Sequence, residues 1–567
     1  MRALSDTTGM KLEKRGRESG DHEDSDADNY HVKKSNSHYD QEITRLVTTI
    51  KGSLESCKIE QMYESFEKIN QMELLINDIE LLLELRFPEI VRDSLDLLGA
   101  KISPNNSKDD NGSGNELTGK EFILVKLILN IFLDISEFRD QSQIVNPDIN
   151  AMKLELLLEA GFEKSLLKLI QTIEGIYNAN MQAYASSLQN DENCFKFMNH
   201  EHELLLESIL STYFQLLEST IEIDPKKVSK KLVELNGFFE WMIQILDNDG
   251  PSIANELSSL KIELLSIIFQ FIKVSEISSS AMLISKKEIM DKFLVNLANF
   301  GLRDGEVTEV KEKEFVHNIV DIICNFLFEE DFRKEFCDLQ GLELMVKFMK
   351  EKVFMRPLSI KIVSFALLEK GEMNDKFVQL SGLKLIFAFI AHSSKSLVND
   401  EEYIKNRQQQ DTDEHLCSIV KSLLRFCTGN NHEKLINQLS EENYFRLKQF
   451  LILRRYYSGK ISDALANTED LEDDEAQIDI IETLALDAGL FVVQLIDLIT
   501  VYVMYYEKID IDDFEKETLI EYEVRLEDLR TSVEEYSSSI EGDERVFNDQ
   551  IKAFLNSGQE IQEFDDY

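Results

Sequence analysis

Apolar residues recur at intervals of three and four along most of the chain from Glu42 onward, as in Ile69, Met72, Ile76 and Ile79. This spacing places apolar side chains on one face of an α-helix. Glycine and proline, which the turns of a β architecture need, number only 22 and 6. The pattern therefore predicts an all-α protein.

A loose internal repeat runs through the predicted helices. Each time a glycine opens an apolar helix and a second long apolar helix follows; these glycines are Gly161, Gly237, Gly341 and Gly382. The last interval is 41 residues and the first is 76, against a period of about 40–47 residues for armadillo repeats. The middle interval of 104 residues indicates an irregular repeat or an insertion. The repeat predicts an armadillo/HEAT-like right-handed superhelical solenoid with N- and C-terminal helical caps.

Shifts in composition divide the chain into segments. They are a disordered N-terminal segment (1–40), N-terminal capping helices (41–100), a polar linker (101–118), armadillo-like repeats (119–460), an acidic loop (461–477), and a C-terminal helical cap with an acidic tail (478–567). Within them, Ser393–Asp413 is predicted to be a polar surface loop. The charged, heptad-like segment Asp512–Ser537 is either a coiled-coil contact or an outer helix.

The charge of the chain restricts its partners. Acidic residues number 106 and basic residues 61, which gives a formal net charge of −45. Because such a chain repels phosphate, we expect no direct binding of nucleic acid by the folded body. The same field attracts basic peptides, although solubility alone is an alternative reason for an acidic composition.

Cysteine usage indicates a reducing cytosolic or nuclear compartment, and hydropathy indicates no membrane span. The six cysteines form no CxxC pair, and no signal peptide opens the sequence. The most apolar stretch, Leu484–Tyr506, contains Asp487, Gln494 and Asp497. Carboxylates are costly in hydrocarbon, so the stretch is predicted to be a buried helix and no membrane contact is expected.

Two short basic clusters lie near the N-terminus. Lys14, Arg15 and Arg17 are followed, after an acidic spacer, by Lys33 and Lys34. Two clusters at this distance are typical of a bipartite nuclear-import signal. The sequence therefore predicts a nuclear location.

Motifs of catalysis and metal binding are absent from the sequence. It has no GxGxxG, GxxxxGK[ST] or GxSxG motif and no kinase motif set. His200 and His202 are two residues apart, whereas a metal pair on one helical face needs a spacing of four. Cys417 and Cys427 lie among apolar residues, which favours core thiols. We expect neither enzymatic activity nor a metal or cofactor.

The second long helix of each armadillo unit lines the concave groove, so its polar residues are the candidate ligand-reading positions. The predicted helices are Phe122–Phe138, His202–Thr220, Ser258–Val274, Lys313–Glu329, Arg356–Lys370 and Asp413–Gly429. Candidate groove residues on them are Asn130, Gln215, Gln270, Asp321 and Asn325. Side-chain amides both donate to and accept from a peptide backbone, so a row of them would hold an extended peptide. The alternative is that they are boundary residues of amphipathic helices.

Nuclear-import adaptors with armadillo repeats use a tryptophan and, four residues later, an asparagine on this helix. The single tryptophan of the chain, Trp241, is predicted to lie on a first helix. An import-adaptor mechanism is therefore not expected.

Three blocks of sequence carry a family resemblance. Leu486–Gln494, Cys417–Arg425 and Gly341–Ala366 resemble, in order and spacing, segments of the beta-catenin-like protein 1 family. The similarity is clear from Gly341 to Met504 and weaker from Lys120 to Gly301. The residues that precede the first block, Glu482-Thr483-Leu484-Ala485, depart from the family, which has a basic pair there.

This resemblance implies a nuclear armadillo protein of the spliceosome-associated complex that activates splicing. It further implies partners with basic, import-signal-like segments, such as a Myb-domain splicing factor. Two alternatives stay open: a cytoplasmic armadillo scaffold that grips apolar helices, and a regulatory subunit of an enzyme complex. A homodimer is also possible.

Overall fold

The computed structural model describes residues 40–72, 74, 76–102, 119–138, 147–158, 162–189, 200–247, 256–271, 286–303, 307–351, 353–369, 371–399, 407–466, 475–538 and 542–557. All regular structure in these ranges is helical, and they contain no strand. The all-α prediction is therefore confirmed for this part of the chain. The described residues form two compact units, an N-terminal unit (40–286 with 309–319) and a C-terminal unit (287–308 with 320–557).

The N-terminal unit is a succession of packed helices. They are α1 (Asp40–Glu55), α2 (Ile59–Asn70), α3 (Ile76–Glu84), α4 (Phe87–Ile102), α5 (Gly119–Glu137), α6 (Pro147–Leu158), α7 (Phe162–Gln189), α8 (His200–Ile223), α9 (Pro225–Glu234), α10 (Phe238–Ile243) with a 3-10 turn (Gln244–Asp247), and α11 (Glu256–Phe271). Helix α5 packs against α2 and α8, and α11 also packs against α8. Helices of successive repeats thus stack side by side, as repeat proteins require.

The C-terminal unit is also built of helices. They are α12 (Lys286–Leu302), α13 (Val310–Phe326), which passes from one unit to the other, α14 (Glu330–Asp338), α15 (Gly341–Glu351), α16 (Met355–Ala366), α17 (Glu372–Gln379), α18 (Gly382–Asn399), α19 (Arg407–Phe426), α20 (Gly429–Leu465), α21 (Glu475–Ala488), α22 (Leu490–Glu507), α23 (Ile511–Phe514), α24 (Leu526–Ser538) and α25 (Gly542–Ser557). Helix α19 packs between α16 and α22, and α24 packs on α22.

Two of the repeat glycines have the same packing role. Gly341 and Gly382 open α15 and α18, and a Cβ at either position would lie 2.5 Å or less from a phenylalanine ring carbon five residues earlier, in Phe336 or Phe377. The ring fills the space that a side chain would take. A glycine is therefore needed where these two helices begin against the preceding helix.

The remaining repeat glycines differ from this pair. Gly237 caps α10 in the left-handed conformation, with φ of 82°. Gly161 lies outside the described residues.

Helix α22 forms the centre of the C-terminal unit. It is long and apolar enough to span a membrane, yet most of its side chains are buried against other helices. Asp497 is fully buried and accepts hydrogen bonds from Arg454 Nε at 2.5 Å and Ser532 Oγ at 2.7 Å. The prediction of a buried helix over Leu484–Tyr506 is confirmed from Leu490 onward, because a paired carboxylate is tolerated inside protein. It is wrong before that point, since the helix breaks at Gly489 and Asp487 on the preceding helix is exposed.

The predicted surface loop Ser393–Asp413 is wrong at both ends. Helix α18 continues through Asn399 and α19 begins at Arg407. Asp413 is fully buried and accepts hydrogen bonds from Ser393 Oγ (2.7 Å) and Tyr457 OH (2.9 Å). Polar residues that resembled a loop thus satisfy one another in the interior.

The predicted heptad-like helix Asp512–Ser537 is also wrong as a single element. After α23 the chain forms a π turn (Glu515–Leu519) and a 3-10 turn (Ile520–Tyr522), and Glu523 adopts a left-handed φ of 61° before α24 begins. A left-handed residue ends helical geometry, so no continuous coiled-coil helix exists here.

Candidate peptide-binding groove

Three of the predicted groove residues lie on consecutive helices of the N-terminal unit. Asn130 on α5 is half-buried, and Gln215 on α8 and Gln270 on α11 are exposed. Since α8 packs against both α5 and α11, the structure brings the three helices together. The amide row stays a prediction.

Carboxylates occupy the same stack. Partial burial, and then the charge of Glu222, raise the pKa of Glu218 on α8. Partial burial, and then the charges of Glu218 and Glu314, raise the pKa of Glu263 on α11. A charge that raises the pKa of a carboxyl lies near it. Glu218 on α8 and Glu314 in the first turns of α13 therefore lie near Glu263 on α11.

Helix α5, which packs against α8, carries a further carboxylate. Asp134 follows Asn130 by one helical turn, and its pKa is raised by partial burial and by Glu137. We call Asp134, Glu218, Glu263 and Glu314 the acidic row. None of them forms an ion pair with another described residue. Such a surface is complementary to lysine and arginine side chains.

The sequence contained a signal for the acidic row that was missed. Asp134 lies four residues after Asn130, and Glu218 lies three residues after Gln215. Both spacings place the carboxylate on the helical face of the amide. A search one helical turn beyond each predicted amide would have found these two carboxylates.

The other two predicted groove residues, Asp321 and Asn325, lie in the C-terminal unit one turn apart on α13. The Asn325 side-chain amide donates to the backbone oxygen of Asp321 at 3.0 Å. The Asp321 carboxylate accepts from Lys361 Nζ on α16 at 2.6 Å. Both side chains are therefore engaged within the unit, and Lys361 compensates the charge of Asp321.

An aromatic row lies beside this ion pair and was not predicted. The Phe328 ring is 42% exposed and lies 5.3 Å from the Phe365 ring, whose centroid is 6.1 Å from that of His415. Burial, and then the charge of Lys361, lower the pKa of His415 to about 3. The imidazole is therefore neutral at physiological pH and acts as a third ring.

The residue before this histidine is an ionisable carboxyl. Glu414 on α19 is half-buried, and burial, followed by the charge of Asp411, raises its pKa to about 7, while Lys361 opposes the shift. The described residues provide it with no hydrogen bond or ion pair. Near neutral pH, Glu414 therefore exchanges between charged and neutral forms.

The two cysteines that the sequence analysis singled out have structural roles. Cys417 and Cys427 are buried, and burial raises the pKa of Cys417 far above its usual range and that of Cys427 to about 12, as expected for core thiols. Within the ranges that the structure covers, no group of three His, Cys, Asp or Glu residues could hold a metal. The side chains of His200 and His202 lie outside the described residues.

Trp241 is buried, with 4% of its surface exposed, on the short helix α10. Its ring stacks on Phe214 at 5.8 Å, and Lys261 Nζ lies 4.2 Å from its centroid. It is therefore a core residue of the N-terminal unit. The predicted import signal, Lys14, Arg15, Arg17, Lys33 and Lys34, lies outside the described residues.

Comparison with known proteins gives one consistent result. A family model for catenin-beta-like, Arm-motif containing nuclear proteins matches residues 160–534. Beta-catenin-like protein 1 of Rattus norvegicus is 24% identical over 362 residues, and that of Homo sapiens is 24% identical over 364 residues. Each alignment covers 62% of this chain and 61% of the relative, so the chain spans about three fifths of their length. An engineered protein of known structure aligns over 91% of the chain at 10% identity, with a TM-score of 0.37.

Proposed function

The chain belongs to the catenin-beta-like, Arm-motif containing nuclear protein family, and from this premise we propose that it is a nuclear scaffold of the spliceosome that binds basic segments of splicing factors. The chain would bind its ligand without chemical change. Its partners would be proteins with import-signal-like segments, such as a Myb-domain splicing factor of the spliceosome activation complex.

The observation that carries this proposal is the acidic row. Its carboxylates are exposed, and the charges of Glu218 and Glu314 raise the pKa of Glu263, so a lysine or arginine near Glu263 would gain favourable interactions. The net charge of −45 would add long-range attraction for a basic ligand. Affinity should weaken with salt, because exposed charges are screened within about 10 Å at 0.1 M ionic strength.

The exposed amides suit the same ligand. Gln215 lies one turn before Glu218, so one helical face offers both an amide for peptide backbone and a carboxylate for a basic side chain. An extended basic peptide uses both kinds of group. An apolar helix, the ligand of a cytoplasmic scaffold, would use neither, and the phosphates of nucleic acid would be repelled.

Affinity capture from nuclear extract tests the proposal. The immobilised wild-type chain should retain splicing factors with basic segments. The variant Glu218→Gln/Glu263→Gln/Glu314→Gln should lose them, because it keeps the shape of the surface and removes its charge. A control with three exposed carboxylates of the same unit replaced, Glu55→Gln/Glu80→Gln/Glu234→Gln, should behave as wild type.

Two outcomes would contradict the proposal. Equal capture by both triple variants would show that the acidic row is not the binding surface. Retention of a single enzyme as the partner would favour the regulatory-subunit alternative.

The nuclear location has its own test. A tagged chain with Lys14, Arg15 and Arg17 replaced by alanine should move from the nucleus to the cytoplasm. A wild-type chain that is already cytoplasmic would favour the cytoplasmic scaffold.

A further inference from the structure

A cavity of about 600 Å³ lies between α18 and α20 in the C-terminal unit. Its volume is within the range of about 300–1,000 Å³ that ligand pockets have. The predicted groove helices α16 and α19 pack against each other, and neither contributes a residue to the lining of the cavity. The cavity is therefore separate from the groove that the sequence predicted.

A break in α20 opens the cavity. Glu442, Asn443 and Tyr444 adopt left-handed φ angles of 52°, 57° and 58°, which residues other than glycine rarely adopt. The Tyr444 ring packs edge-on against Phe514 at a centroid distance of 5.0 Å and holds the break in place. Phe445, the next residue, lines the cavity with 53% of its surface exposed. Strained backbone of this kind persists only where its surroundings hold it, and it is common at binding sites.

The opposite wall, on α18, is a single helical face with little bulk. Lys384, Phe387, Ala388 and Ala391 line the cavity at intervals of three and four residues, which places them on one face. The two alanines leave space that larger side chains would fill, and Ala388 is exposed. The cavity thus has room for an apolar side chain between these alanines and Phe445.

A buried amide in the cavity wall lacks a partner. Gln449 on α20 is 7% exposed and lines the cavity, and its side-chain amide forms no hydrogen bond with another described residue. Burial of an amide without a hydrogen bond is unfavourable. A bound group that both donates and accepts would satisfy it, as a peptide backbone does.

Arg446 has a fixed position in the same wall. Its guanidinium lies 5.2 Å from the centroid of the buried Phe387 ring, and Nη1 donates to the backbone oxygen of Gln438 at 2.9 Å. Its other N–H groups have no partner among the described residues. Since Arg446 and Gln449 are three residues apart, they lie on one helical face. A guanidinium held in this way is suited to a carboxylate.

The charge around the cavity differs from that of the chain. Its lining contains Lys384, Lys434 and Arg446 against Glu441 and Glu442, whereas the whole chain has 61 basic and 106 acidic residues. None of these five forms an ion pair with another described residue. The strong excess of negative charge that would exclude a carboxylate is therefore absent here.

The cavity continues along the first half of α20. A second cavity of about 350 Å³ shares four lining residues of α20 with the first. It adds Asn430, Glu433 and Asn437, and with Glu433 the basic and acidic side chains along both cavities are equal in number. The exposed amides of Asn430 and Asn437 have no partner in the described part of the chain. The two cavities thus form one elongated groove whose amides suit an extended peptide.

We propose that the groove between α18 and α20 binds an extended peptide segment of a partner protein that carries a carboxylate next to an apolar side chain. The carboxylate pairs with Arg446, the apolar side chain packs between Ala388 and Phe445, and Gln449 bonds to the peptide backbone. This site is separate from the acidic row and selects a ligand of the opposite charge, so it goes beyond the proposed function.

Selection from a random peptide library tests the site without a known partner. The library, displayed on phage, is depleted on the immobilised full chain with Ala388→Phe, which fills the cavity from an exposed position, and is then selected on the wild-type chain. Depletion removes basic peptides that bind both proteins through the acidic row. Peptides with an aspartate or glutamate next to an apolar residue should be enriched.

Fluorescence anisotropy with the enriched peptides then locates their binding. They should bind the wild-type chain at least about tenfold more tightly than Ala388→Phe or Arg446→Gln. Replacement of the peptide carboxylate by an amide should weaken binding to the wild-type chain and have little effect on binding to Arg446→Gln. The control Ala553→Phe adds the same ring at an exposed position of α25 and should bind as wild type. Thermal melts confirm that each variant is folded.

Gln449→Leu separates a ligand-binding role from a structural one. Leucine keeps most of the side-chain volume and removes an amide without a partner, so the Tm of the unliganded chain should not fall. Affinity for the enriched peptides should fall by about threefold to tenfold. A lower Tm without a loss of affinity would contradict the role assigned to Gln449.

Three outcomes would overturn the inference. They are no enrichment after depletion, enriched peptides without a carboxylate, and enriched peptides that bind Ala388→Phe or Arg446→Gln as tightly as the wild-type chain. Each would leave the proposed function standing, because that function depends on the acidic row and not on this groove.

Discussion

Replacement of Gly489 by alanine should strongly destabilise the C-terminal unit. Gly489 joins α21 to α22 with φ of 107°, a region that L side chains rarely adopt. A Cβ at this position would lie 2.5 Å from Tyr457 Cδ1. The Tyr457 ring cannot move away freely, because it is buried and its hydroxyl donates to Asp413 at 2.9 Å.

The magnitude follows from these two costs. The left-handed conformation costs a non-glycine residue about 1–2 kcal/mol, and overpacking a core typically costs about 1–3 kcal/mol. Together they predict a loss of about 2–4 kcal/mol in the free energy of unfolding. For a unit of this size that corresponds to a fall of about 5–10 °C in Tm.

Thermal unfolding followed by circular dichroism provides the assay. The matched control is Gly459→Ala in the exposed face of α20, where a Cβ meets no atom within 4 Å. It should raise stability by up to about 1 kcal/mol, because alanine is a better helix former than glycine. Equal Tm values for the two variants would refute the role assigned to Gly489.

Two further perturbations have definite expected results. Arg454→Leu should lower the free energy of unfolding in urea by about 3–5 kcal/mol, because it leaves Asp497 buried without its cationic partner. The double variant with Asp497→Leu should recover much of that loss. A double variant as unstable as Arg454→Leu would contradict this. Thiol reagents at pH 8 should modify the exposed Cys57 rapidly and reach Cys324 and Cys417 only in denaturant, because burial raises the pKa of both; rapid native labelling of either buried thiol, located by mass spectrometry, would be inconsistent with the structure.

Local periodicity predicted the helices well. The predicted helix Phe122–Phe138 corresponds to α5 (Gly119–Glu137), and Arg356–Lys370 covers most of α16 (Met355–Ala366). Such helices are determined by their own apolar spacing, since each presents a continuous apolar face to its neighbours. The armadillo-like family assignment rested on the same pattern together with longer blocks of similarity.

Features that depend on distant residues could not be predicted. Asp413 resembled a loop residue because its partner Tyr457 lies more than forty positions further along the chain. The break at Glu523 carries no glycine or proline signal. The hydrophobic periodicity of a short stretch of sequence carries no information on such long-range contacts.

The candidate site also combines features that a single helix determines with features that depend on the packing of distant residues. Amide positions on single helices could be proposed from sequence, whereas the effect of Glu218 on the pKa of Glu263 appears only once α8 and α11 are packed. The rings of Phe328, Phe365 and His415 come from different helices, and each by itself is an ordinary apolar or boundary residue.

The salt dependence of peptide affinity tests the central claim most directly. For the wild-type chain, affinity for a short capped all-lysine peptide should fall at least tenfold between about 0.05 and 0.5 M salt, because screening shortens from roughly 14 to 4 Å. The variant Glu218→Gln/Glu263→Gln/Glu314→Gln should bind more weakly at low salt and show a shallower decline. Affinity that is independent of salt, or an equal slope for both proteins, would contradict recognition of basic segments by the acidic row.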